Sequence, residues 1–326
     1  MRSLKQVMLW IGLIAVTAVP AMAADSLYHA TVPVAGTSAA SRNQAIAAAA
    51  AAVLVQLSGD PHVAIQPGVA TALASAPALV KDYHYTEGGS GALMLDVGFD
   101  QQALESLARR LALPVWPSPR PPVLVEIRID GQMADAAALA GLVEDGAARG
   151  VQFILPHAGA PDAVGMAACQ HDALAQLARD YGTGLALVGQ ISGGEGSWTL
   201  VTGDTCQSWQ SVLTNTTSAL AEAGNAAVDR LVARFAAAPA PAGGQAGALW
   251  VGHLRSPSQY AAVMALLRSD PRIHSVRPLA AEGDGLLLSL QLDAPLATVA
   301  ADLAASGHLV SAAPQPGADV SLDWVR

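Results

Sequence analysis

Five prolines, Pro114, Pro117, Pro119, Pro121 and Pro122, fall within nine consecutive residues of this chain. Proline holds φ near about −65° and has no amide hydrogen, so such a run neither continues a helix nor fills a central strand. The stretch predicts a semi-rigid boundary, and the chain must organise itself on either side of it. A second interruption, Pro239-Ala240-Pro241-Ala242-Gly243-Gly244, reads as a low-complexity linker. For 326 residues, division into several domains is the ordinary expectation. The predicted organisation is a leader over 1–23, an N-terminal domain over 24–119 and a middle domain over 120–238. A linker over 239–248 and a C-terminal domain over 249–326 complete it.

The leader has three parts. Arg2 and Lys5 make a basic start, Val7 to Val19 is an apolar run ended by Pro20, and Ala21-Met22-Ala23 offers small residues before a cut. That layout predicts a cleaved secretory signal. The apolar run is shorter than the roughly 20 residues that cross a bilayer. No cysteine stands near the cut, so no lipoprotein anchor is expected, and the predicted destination is the periplasm. The mean hydropathy of +0.37 comes largely from alanine, as in Ala47 to Ala52, and no membrane span is expected after residue 23.

The patterning predicts an α+β fold of several small α/β sandwich modules with mainly antiparallel sheets. In the first, Tyr28 to Val34 is a strand that Pro33 places at an edge, and Ser41 to Leu57 is a helix ended by Ser58-Gly59-Asp60-Pro61. A second helix is expected over Val69 to Ala76, then strands over Val80 to Thr86 and Ala92 to Phe99. Asp100 should cap a helix reaching Leu111. In the second, Val123, Val125, Ile127 and Ile129 alternate with Leu124, Glu126 and Arg128, which predicts a half-buried strand. Helices over Ala134 to Gly150, Asp172 to Tyr181 and Ser218 to Phe235 surround a short strand, Val151 to Leu155, and a meander of Leu185 to Ile191, Trp198 to Thr202 and Trp209 to Thr214. The third opens with a strand over Leu249 to Leu254. Ser256-Pro257-Ser258-Gln259 then starts a helix, with Tyr260, Val263, Met264 and Leu267 on one face. Hairpin strands over Ile273 to Leu279 and Leu286 to Leu292, a helix over Leu296 to Ala305 and a last strand follow. The order β-α-β-β-α-β is ferredoxin-like.

Charge excludes one class of function. The chain carries 17 basic and 26 acidic residues. Without Arg2 and Lys5 the balance is 15 against 26, about −11, which repels nucleic acid and anionic lipid. Chemistry is equally hard to find. The eight histidines form no metal-ligand spacing, so no metal and no cofactor is expected. Gly88-Gly89-Ser90-Gly91 has the wrong frame for a nucleophile elbow, and Gly193-Gly194-Glu195-Gly196 lacks the Lys of a phosphate loop; both read as hairpin turns. Glu144-Asp145 and Asp60 are the nominated carboxylates, though adjacent helix residues point apart. Trp116, Trp198 and Trp209 read as packing aromatics. Cys169 and Cys206 are the candidate disulfide of an oxidising compartment, with two separate buried thiols as the other reading.

Several blocks are shared with a known group. They are Tyr28-His29-Ala30-Thr31-Val32-Pro33-Val34, Arg42 with Val53-Leu54-Val55-Gln56-Leu57-Ser58-Gly59-Asp60, Tyr83-His84-Tyr85, Phe99-Asp100, Leu113-Pro114-Val115-Trp116 and Arg120-Pro121. Together they resemble the domain-of-unknown-function 2066 family of exported bacterial proteins, most strongly over about 25 to 130. The resemblance implies no activity, cofactor or catalytic residue. It singles out Arg42, Gly59, Asp60, Trp116 and Arg120, which read as structural: Gly59 for a positive φ at a helix end, Asp60 as a cap, and Arg42 as the partner of Asp60 or Asp100. A ligand-binding role for Arg42 is the sharper alternative.

The functional expectation is a non-enzymatic binding or accessory protein of the cell envelope, with an envelope protein or a glycan as partner. The alternatives are a periplasmic hydrolase with carboxylates scattered over the domains, and a C-terminal module over 249–326 that binds peptidoglycan.

Overall fold

In a computed structural model of the chain, the described residues are 26–325, apart from 90, 117, 158–160, 204, 213 and 237–244. The predicted leader, Ser90 and the Pro239–Gly244 run lie outside them. The described residues form an α+β structure with three sheets, taken up in turn along the chain.

The first sheet contains β1 (His29–Pro33), β2 (Val80–Glu87) and β3 (Leu93–Phe99), in the order β1-β3-β2, all antiparallel. Helix α1 (Ala39–Ser58) lies against it. Ser38 caps its start by accepting from the Ser41 amide, and its buried stripe is Ala45, Ile46, Ala49, Ala50, Val53, Leu54 and Leu57. Small alanines let the helix come close to the sheet, and the larger aliphatics at its end fill the core with Leu95, Val97 and Phe99. Gly59 ends it at φ 68°, donating to Val55 O. The next helix, α2 (Val69–Leu73), stops short of Ala76. Pro77 is responsible: it has no amide hydrogen and its ring would crowd the carbonyl four residues back, that of Leu73, so the α-helix is not continued and the chain resumes as a 3₁₀ turn over Ala76–Leu79. Asp100 accepts from the Ala103 amide to start α3 (Gln101–Arg110).

The second sheet is built from β4 (Val123–Ile129), β5 (Gln132–Met133), β6 (Phe153–Ile154), β7 (Leu185–Ser192), β8 (Glu195–Thr202) and β9 (Cys206–Val212). Its order is β5-β4-β7-β8-β9, with β6 also on β4. Helices α4 (Ala136–Ala148) and α7 (Thr216–Phe235) cover one face; α5 (Ala163–Ala167) and α6 (His171–Tyr181) lie on the other. Strand β4 is not half-buried. Leu124 and Glu126 are as inaccessible as Val125: β4 is flanked on both edges, α4 and α7 cover one face, and α5 and α6 pack over Leu124 on the other.

The third sheet contains β10 (Gln245–Gly252), β11 (Ile273–Glu282), β12 (Gly285–Leu292), β13 (Leu309–Ser311) and β14 (Val320–Trp324), in the order β11-β12-β10-β14-β13. Helices α8 (Pro257–Ser269) and α9 (Leu296–Ala305) share its core. Ser256 accepts from the Gln259 amide, and Gln259 Oε1 accepts from the Arg255 amide at 2.7 Å. Val263, Met264 and Leu267 of α8 are buried, whereas Tyr260 is exposed. The ferredoxin-like order holds through α9, after which the tail departs from it. The tail forms a hairpin, and its second strand, β14, lies beside β10 and runs parallel to it.

Candidate functional site

The β4-β7-β8-β9 register builds three cross-strand rows on the α5 side of the middle sheet. Leu124, Ala186, Val201 and Cys206 make the first, and Met166, Leu174 and Leu177 from α5 and α6 cover it. The second row is Glu126, Val188, Thr199 and Ser208; the third is Arg128, Gln190, Ser197 and Gln210. Helix α5 is short, and its Ala163, Val164 and Ala167 line a groove beside the second and third rows. The two polar rows therefore form the floor of a groove of about 730 Å³ with α5 as one wall.

Glu126 is the unusual group there. Its side chain is 1% exposed, and Oε1 accepts from Arg128 Nε at 3.1 Å while Oε2 has no partner. Burial pushes its carboxyl above the usual carboxylate range, and Arg128 offsets this only in part. An unsatisfied buried carboxyl oxygen costs stability, roughly 1–3 kcal/mol. A ligand hydroxyl would satisfy it in either protonation state, donating to a carboxylate or accepting from a carboxylic acid. Farther along the same row, beyond Val188, Thr199 Oγ1 and Ser208 Oγ are hydrogen-bonded at 2.9 Å. Nothing in the local sequence marks this site beyond one acid in an apolar strand, since the rows exist only once four strands are in register.

A second cavity, of about 380 Å³, lies between the proline segment and the C-terminal module. Three of its charged groups satisfy one another: Arg272 donates to Asp270 Oδ2 at 2.6 Å and also pairs with Asp302. Burial raises the Asp302 carboxyl to about 6 despite Arg272, while hydrogen bonding and charge from Arg272 hold Asp270 low against the effect of its own burial.

The residues singled out from sequence lie elsewhere, mostly where modules meet. Arg120 donates to the carbonyls of Gln56 (2.7 Å), Leu57 (2.8 Å), Gly150 (2.9 Å) and Trp116 (2.7 Å). It thereby closes the C-terminal end of α1, where carbonyls lack helical partners and cations are favoured. Burial lowers its pKa to about 10, which leaves it charged at neutral pH. Trp116 is sandwiched between Arg120 (4.9 Å) and the stacked ring of Phe235 (5.3 Å). A Cβ on Gly59 would collide with Val232 of α7. Asp60 accepts from the His62 amide at 2.8 Å and from Gln66. Arg42 pairs with neither Asp60 nor Asp100; its guanidinium lies over the Tyr83 ring at 5.6 Å, because Asp60 is taken by its own loop and Asp100 by α3. Glu144 and Asp145 are both exposed on α4. Cys169 and Cys206 form a disulfide that ties the α5–α6 turn to the start of β9. Sequence reasoning missed Arg149, buried at 6% exposure, which donates to Gly59 O (2.8 Å) and Asn225 Oδ1 (3.0 Å) and pairs with Asp229 (2.5 Å). Among the described residues no cluster of three or more His, Cys, Asp or Glu could hold a metal, and no helix is long and apolar enough to cross a membrane.

Residues 21–117 match a domain of unknown function, DUF8605. This corrects the resemblance to the domain-of-unknown-function 2066 family. No curated protein and no solved structure matches the chain.

Proposed function

We propose that this chain is an exported, non-catalytic binding or accessory protein of the bacterial envelope, with its ligand seat in the groove of the middle sheet. The observation that carries the reading is Glu126 Oε2, buried and unpartnered at the floor of an open polar groove. The floor offers hydroxyls, amides and one neutralised acid–base pair, a set suited to a neutral, hydrogen-bonding ligand. A hydrolase acting through two carboxylates has less support, since Glu126 is the one acid among the groove's described lining and Arg128 is already on it. The leader over 1–23, the acidic balance and the disulfide support export to the periplasm.

Two measurements test this. N-terminal sequencing of the chain released by osmotic shock should begin at Ala24, and an intact leader in the cytoplasm would overturn the address. A photo-reactive residue at position 164, on the groove rim, should capture one envelope component in living cells. The Thr199→Val, Ser208→Ala double variant should abolish that adduct, and the same label at exposed Ile65 should not form it. No adduct from position 164, or one indifferent to the double variant, would remove the groove reading.

A further inference from the structure

Every sheet edge presents unpaired amides and carbonyls, and proteins usually blunt such edges with charge, proline, bulges or shortness. Among the described residues, five of the six ends of the three sheets are blunted in this way. Strand β1 carries Pro33; β2 carries Lys81, Asp82 and a register shift; β5 and β13 are two and three residues long; β11 carries Arg277, Pro278 and two register shifts. The sixth, β9, is bare. Its seven residues, Cys-Gln-Ser-Trp-Gln-Ser-Val, include no charge and no proline, and pair with β8 in unbroken register. Val212 at its end is 87% exposed.

The ladder says which groups face outward. Ser192 and Glu195 close the two-residue Gly193-Gly194 turn as a hydrogen-bonded pair, so every second pair after it faces β9. Thr202 N donating to Thr205 O at 2.9 Å has the expected sense. Trp209, Gln207 and Ser211 therefore spend their backbone groups on β8, and Ser208, Gln210 and Val212 turn theirs to the open side.

From this the geometry points to a second copy of the same chain as the occupant of the β9 edge, joined antiparallel about a two-fold axis through Trp209. In that register Ser208 meets Gln210 of the second copy, both outward-facing and both neutral, and Gln207 meets its Ser211. The pairing is self-complementary, as an isologous contact requires. A chain with 26 acidic and 17 basic residues repels its own copies overall, whereas this strand carries no charge of its own, and Arg230 of α7 lies over the Trp209 ring at 4.0 Å. Directly opposed residues lie on one face, so the two grooves join. The row from Glu126 to Ser208 runs on into Gln210 and Ser197 of the second copy, and the ligand seat doubles in length.

Sedimentation equilibrium of the exported chain, without ligand and at graded concentrations, reads this directly. The wild type should pass from monomer to a species of twice its mass. Gln210→Pro removes an outward-facing donor at no cost to the β8 ladder, and Ser208→Lys places like charges near the axis. Each should weaken association about tenfold or more, with the far-UV circular dichroism spectrum of a folded chain retained. A chain monomeric at every concentration, which would leave the edge to a strand of another protein, overturns the proposal. So does a dimer that neither variant weakens. The readout is mass, not ligand, so this failure is distinct from failure of the groove reading.

Discussion

Glu126 shows how one residue reports on its surroundings. Its position in an alternating strand predicts exposure to solvent, yet its side chain is buried at the base of the groove, and burial raises its pKa. An acid with a raised folded-state pKa holds its proton more tightly folded than unfolded. The folded state is therefore at its best below the ordinary carboxylate range and loses stability as pH climbs from there through the raised value. Glu126→Gln, the same shape without the titration, should flatten that decline. Tm measured from acid to neutral pH should show the variant gaining on the wild type with rising pH, and parallel profiles would show that Glu126 titrates as an ordinary surface acid. Gly59, by contrast, was readable in advance: the helix pattern ends there and only glycine takes a positive φ cheaply. That Val232 also fills the space a Cβ would need was not, because α7 is far away in sequence.

At the scale of elements, the short α5 decides where the groove begins, and the disulfide holds α5 in place. Cys169 and Cys206 are separated by 37 residues, and closing a loop of that size contributes roughly 3–4 kcal/mol by restricting the unfolded chain. Reduction, or Cys169→Ala with Cys206→Ala, should lower stability by about that amount. Hydrogen exchange should rise in α5, α6 and the start of β9 while α1 and β3 stay protected. Uniform exchange across the chain would show that the bond does not act locally. The periodic helices α1, α3, α6 and α7 and the hairpins β7–β8 and β11–β12 were legible because their signals are local: caps, breakers and apolar spacing. The shortened α2 and the parallel β14 follow from Pro77 and from a tail hairpin, which periodicity does not weigh.

Across the whole molecule, three modules are fastened by arginines and close backbone contacts. Arg120 and Arg149 bind the end of α1 to the middle module from two sides. Ala301 and Ala305 of α9 enter the middle core, and Gly184 N donates to Ala305 O at 2.8 Å, so the C-terminal module is packed against its neighbour rather than tethered. Arg120→Ala leaves several carbonyls without their donor and should cost roughly 2–3 kcal/mol. Limited proteolysis should then cut between residues 114 and 122, where the wild type resists, and a protected segment in the variant would assign the docking to Trp116 and Arg149 alone. The sequence by itself determined the helices, the hairpins, the proline boundary and the positions of Gly59 and Asp100, since each depends on residues within a turn or two. Only the tertiary structure decided that Arg120 serves the end of α1, that four strands align Glu126 with Ser208, and that β9 is left as a bare edge. Those are agreements between distant segments, and spacing along one chain carries no record of them until the sheet is assembled.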